Sequence, residues 1–84
     1  MKEVFQHVYS PCDGFVKKVF VTPSSYVYEW EKLFVIETNE NKEVEVSIGV
    51  SGNITSVEIS QGQNVEQNTI LTTLRDDFVI TGSD

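Results

Sequence analysis

Apolar positions in this chain recur at a fixed offset, while the polar positions between them do not. Shifted by 38 residues, Gly14-Phe15-Val16 falls on Gly52-Asn53-Ile54, Val19 on Val57, Val21 on Ile59, Val27 on Val65, Leu33 on Leu71 and Ile36 on Leu74. Two copies of one β-rich unit show this pattern when only their buried faces are constrained. Within each copy the apolar runs are short and bounded by turn residues. Residues 4–9 read as a first strand ending at Ser10-Pro11, and Gly14 opens a second strand over Phe15 to Thr22. Pro23-Ser24-Ser25 breaks it, because proline removes a ladder donor and serine favours turns. Leu33 to Glu37 is a further strand.

The cleanest alternation follows. Val44, Val46, Ile48 and Val50 face one way and Glu43, Glu45 and Ser47 the other, the period-two pattern of a strand with one wet face. Gly52 then takes the role of Gly14, Asn53 to Ser60 repeats the second strand, Gln61-Gly62-Gln63-Asn64 repeats the turn, and Ile70 to Leu74 repeats the last strand. The domain is read as residues 1–74. Residues 75–84 are read as a C-terminal tail, either an extra edge strand around Phe78-Val79-Ile80 or disordered.

Short strands separated by Gly, Pro, Ser and Asn turns predict an all-β fold. The repeat narrows it to a flattened barrel-sandwich with two-fold pseudo-symmetry, its central hairpin standing at the end away from the termini. Val16, Val19, Val27, Leu33, Val57, Val65 and Leu71 are expected in one shared core. Composition agrees: at 84 residues there is room for one domain, and the apolar residues are mostly Val, Ile, Leu and Phe with no alanine.

Thirteen acidic against six basic residues give a net charge of -7, which excludes nucleic acid as a partner. A single cysteine, Cys12, permits no internal disulfide and is read as a packing residue. His7 is the only histidine, has no second ligand at a metal-site spacing, and is read as structural or surface. Tyr26, Tyr28 and Trp30, in the segment Ser25 to Lys32, are expected to cover one end of the core, the alternative being a partner-binding patch. There is no nucleophile–base pair and no phosphate-cradling loop, so the chain is read as a non-enzyme. The lack of a signal-peptide or membrane-length apolar stretch sets the expectation of a cytoplasmic protein with no membrane association.

Four segments resemble the biotinyl/lipoyl carrier domain, whose fold is the barrel-sandwich hybrid. They are Ser10-Pro11-Cys12-Asp13-Gly14, Leu33 to Thr38, Val44-Glu45-Val46 with Val50-Ser51-Gly52, and Gln61-Gly62-Gln63-Asn64-Val65. The resemblance covers Tyr9 to Leu74. It implies a small carrier that bears lipoate or biotin as an amide on one lysine of the central hairpin, put there by a lipoate or biotin ligase and serving a larger enzyme complex. Here that residue is Lys42. The family lysine stands eleven positions before the second glycine, a spacing that lands on Asn41, so the run Thr38-Asn39-Glu40-Asn41-Lys42-Glu43 is one residue longer than the family loop. The missing flanking methionines and Ile36-Glu37-Thr38 are closer to a lipoyl domain than to a biotin carrier. The alternative reading is a degenerate, unmodified member acting as a protein-interaction module through its acidic hairpin, Glu37, Glu40, Asn41, Glu43 and Glu45, or through the aromatic connection that carries Tyr26, Tyr28 and Trp30.

Overall fold

A computed structural model describes residues 3–76. Among them there is no helix, and eight strands follow one another: β1 (Val4–Tyr9), β2 (Gly14–Val19), β3 (Tyr26–Val27), β4 (Phe34–Glu37), β5 (Glu43–Val46), β6 (Gly52–Val57), β7 (Asn64–Val65) and β8 (Ile70–Asp76). They form two antiparallel four-stranded sheets, ordered β1-β8-β6-β3 and β5-β4-β2-β7. This is the flattened barrel-sandwich expected from the repeat. β8 runs on to Asp76, and the Phe78-Val79-Ile80 segment lies outside the described residues.

The offset of 38 converts one sheet into the other, rung by rung. β2 pairs β4 through Phe15↔Glu37, Val16↔Ile36, Lys18↔Val35 and Val19↔Phe34. β6 pairs β8 through Asn53↔Arg75, Ile54↔Leu74, Ser56↔Thr73 and Val57↔Thr72, each number greater by 38. Even the bulge repeats, at Lys17 in one sheet and Thr55 in the other. The innermost hairpin rung, Glu37↔Glu43, corresponds to Arg75↔Phe5, near the limits of the described residues. The central hairpin and the Phe5–Arg75 rung therefore occupy equivalent places at opposite ends of the sandwich.

The core follows the same rule. Val8 with Val46, Val16 with Ile54, Val21 with Ile59, Val27 with Val65, Leu33 with Leu71, Phe34 with Thr72 and Ile36 with Leu74 are buried as counterparts, and all but Thr72 belong to one apolar cluster spanning both halves. Thr72 is the polar member, and its hydroxyl donates to the Ser56 carbonyl at 2.5 Å. Burying it with that partner avoids the penalty of an unmade bond. Val19 and Val57 depart from the expectation of full burial: both are half-buried at the last rung of their strands, beyond the bulge that shifts the alternation. β5 is also shorter than its alternation suggests. Its ladder stops at Val46, and Ile48 and Val50 pack half-buried against the core outside the strand.

Gly14 and Gly52 hold the sheets together for a steric reason. A Cβ on Gly14 would lie 2.3 Å from the Glu37 carbonyl oxygen, and one on Gly52 would lie 2.0 Å from that of Arg75. The strands approach so closely at these rungs that only glycine fits. The turn glycine Gly62 differs: it has φ +90° and open space around it, and its counterpart Ser24 takes φ +80°.

Candidate functional site: the central hairpin

β4 and β5 are joined by Thr38 to Lys42, with the Thr38 N–H donating to the Lys42 carbonyl at 2.8 Å and the Asn41 N–H to the Thr38 carbonyl at 2.9 Å. Asn39, Glu40 and Asn41 are thus a three-residue loop whose last member is left-handed, φ +64°. Asparagine tolerates that conformation, which explains its place. The Thr38 hydroxyl oxygen accepts from the N–H groups of Glu40 at 3.3 Å and Lys42 at 3.2 Å, tying both ends of the loop to one side chain. Lys42 stands on the first step of the returning arm, just past the loop apex.

Lys42 is exposed. Alternation along β5 sends Glu43 and Glu45 to the outer face and Val44 and Val46 toward the core, so Lys42 continues on the Val44 side, beyond the end of the packed sandwich. Among the described residues it makes no ion pair, whereas Lys17 and Lys32 do. Lys17, aimed outward by its bulge, reaches across the sheet to Glu43 and lies 3.6 Å from Glu37. The hydrogen bond to Glu43, with its charge, raises the Lys17 ammonium above its ordinary value, and the same bond holds the Glu43 carboxyl below its own. Lys32 pairs with Glu45 at 2.9 Å.

These pairs change the electrostatic reading. Glu37, Glu40, Glu43 and Glu45 crowd the hairpin in sequence with Lys42 alone among them, yet the fold brings in Lys17 and Lys32. Four carboxylates and three ammonium groups nearly balance, and Glu40, at the exposed apex, is the carboxylate among the four with no cation against it among the described residues. Sequence reasoning missed Lys17, Lys32 and the capping Thr38. Thr38 had a legible signal, a hydroxyl residue opening a short polar turn. The lysines had none, since strand order and a bulge bring them there.

The other candidates have simple places. His7 is exposed, its Nδ1 3.0 Å from the Thr73 hydroxyl. Cys12 packs half-buried against the core, and its carbonyl accepts from the Ser10 hydroxyl at 2.7 Å. No group of three or more potential metal ligands gathers among the described residues, and no helix among them is long and apolar enough to cross a membrane.

The pseudo-two-fold sandwich with its hairpin opposite the Phe5–Arg75 rung defines a carrier-type fold, and comparison with known proteins places it. The family model described as "biotin-requiring enzyme", that of the biotin/lipoyl domain, matches residues 6–74, and the chain belongs to that family of carrier domains. A search of curated proteins finds no match. Among solved structures, the urea carboxylase of Kluyveromyces lactis is similar over 88% of this chain, with a TM-score of 0.77 and 19% identity. The likeness is one of fold, and the chain spans 6% of the length of that enzyme.

Proposed function

We propose that the domain is a carrier that presents Lys42 for amide attachment of lipoate or biotin, within the reach of a ligase and then of a larger enzyme. The observation that supports this is the exposed Lys42 beside the loop apex, free of the ion pairs that occupy Lys17 and Lys32. Its Nζ, once deprotonated, attacks an activated carboxyl; an amide bond forms, and a proton and the activating group leave. The attached group would supply a swinging arm for group transfer between active sites. Thr38 holds the loop ends, so the lysine projects from a fixed base.

A second reading has its own support. Glu40 and Asn41 occupy the apex, and the extra residue puts Lys42 past it, an arrangement suited to an unmodified module that binds protein through the hairpin. Intact mass of the protein from its native host separates the two, since biotin and lipoate add distinct masses. Incubation with a lipoate or biotin ligase and ATP should label the wild type and leave Lys42→Arg unlabelled, because arginine keeps the charge but not the attacking amine. Exchanging the two neighbours, Asn41→Lys with Lys42→Asn, puts the lysine eleven positions before Gly52, the family spacing, and should raise labelling. No label on the wild type or on the exchange variant would retire the carrier reading in favour of the unmodified module.

A further inference from the structure

The pseudo-two-fold supplies an internal control for every side chain. Phe20, Tyr26, Tyr28 and Trp30 have as counterparts Glu58, Asn64, Glu66 and Asn68, four aromatic residues against four polar ones. The backbone is the same in both places. Trp30 N–H donates to Ile48 and Asn68 N–H to Ser10, each at 2.8 Å; Glu31 N–H donates to Tyr28 at 3.1 Å and Thr69 N–H to Glu66 at 3.0 Å. Tyr26 pairs with Asn53 as Asn64 pairs with Phe15. The turn forms with polar side chains, so the aromatic set is not needed to build it.

Nor does it cover the core, as the sequence alone suggested. Tyr28 is 68% and Trp30 71% exposed, with Tyr26 at 41%. Trp30 is also left-handed, φ +63°, where its counterpart Asn68 has φ +72°. Asparagine adopts that region readily and a bulky aromatic does not, so the indole is kept against its backbone preference. Its position is set by Gly49, where a Cβ would come within 2.6 Å of Trp30 Cζ2. The Tyr26 and Tyr28 rings meet edge to face at 5.0 Å, and the exposed carboxylates of Glu29 and Glu31 flank Trp30.

We infer that Tyr26, Tyr28 and Trp30, at the end of the sandwich opposite the hairpin, form a docking surface for a basic protein partner that lays arginine side chains over the rings. Guanidinium groups stack on tryptophan and tyrosine faces, and Glu29 and Glu31 supply the matching charge. Charge disfavours the other occupants. A second copy would bring the same carboxylates together with -7 on each chain, and the segment 77–84 carries Asp77 and Asp84 with no basic residue. A partner held at this end leaves the hairpin free, and the surface is independent of whether Lys42 is modified.

The test uses the full chain and a synthetic peptide of six arginines, followed through Trp30, the only tryptophan. A saturable fluorescence change is expected, tighter than for six lysines and weaker as salt rises. The double variant Tyr28→Asn with Trp30→Asn keeps the net charge and installs residues of the polar counterpart type. Measured by calorimetry, its Kd for the arginine peptide should rise about tenfold, as two exposed cation–ring contacts imply. Its melting temperature should equal or exceed that of the wild type. A Kd unchanged within about twofold would mean diffuse charge attraction and overturn the inference. A clearly lower melting temperature would make the rings structural. Self-association that the double variant abolishes would assign the surface to a second copy, and a red shift of Trp30 emission on deleting residues 77–84 would assign it to that segment; both overturn the proposal.

Discussion

Replacing Gly52 by alanine places a methyl carbon 2.0 Å from the Arg75 carbonyl oxygen, 2.9 Å from its carbon and 3.0 Å from Leu74 Cδ1. A carbon and a carbonyl oxygen ordinarily approach to about 3.3 Å. β6 and β8 must therefore part by roughly 1 Å at the rungs Gly52↔Asp76 and Asn53↔Arg75. Losing a ladder hydrogen bond costs about 1 kcal/mol. Overpacking adds about 1–3 kcal/mol, and a stiffer unfolded chain returns about 0.5 kcal/mol. The net destabilisation is about 1.5–3.5 kcal/mol, a large part of the roughly 4–12 kcal/mol expected of a domain this size. Gly62→Ala is the control: nothing lies within 4 Å of its Cβ, and the loss comes only from φ +90°, about 1–2 kcal/mol. Urea unfolding followed by circular dichroism should lower the midpoint for Gly52→Ala by well over 1 M, with a slope near 1 kcal/mol/M, and by less for Gly62→Ala. Equal midpoints for the wild type and Gly52→Ala would refute the argument that close strand approach dictates the glycine.

Leu74→Ala empties a fully buried site and should cost about 2–5 kcal/mol in the same melts, whereas half-buried Val57→Ala should cost about 1 kcal/mol or less; reversal of that order would place the core elsewhere. Glu43 titrates below its ordinary 4.5 because Lys17 bonds it, so its contribution is complete above that value and lost as pH falls through the lowered one. Lys17, raised above 10.5, contributes fully below that value and loses its share only as pH climbs through the raised one. Carbon-detected NMR titration should give a Glu43 midpoint below 4.5 that returns toward it in Lys17→Met, and an unchanged midpoint would remove the pair from the solution state.

Much of the fold was legible because burial is written in local periods. Val16 and Ile54, Leu33 and Leu71, and Ile36 and Leu74 recur at one offset and are buried as counterparts, since each copy must cover the same inward face. The two-residue strands β3 and β7 were not legible, because two paired residues leave no alternation to read. At the hairpin, the loop, its exposed Lys42 and its four carboxylates stood in the sequence, but the nearly balanced charge did not.

By itself, then, the sequence determined the repeat, the two-sheet all-β architecture, the family and the place of the hairpin, because these rest on the spacing of apolar and turn residues along one chain. Only the tertiary structure decided that Lys17 and Lys32 answer Glu43 and Glu45, since residues 26 and 13 positions apart meet through sheet order and a bulge. It also decided that Tyr28 and Trp30 face water. An aromatic residue in a turn carries no sign of its direction, and here the backbone that seats polar residues in one half turns the rings outward in the other.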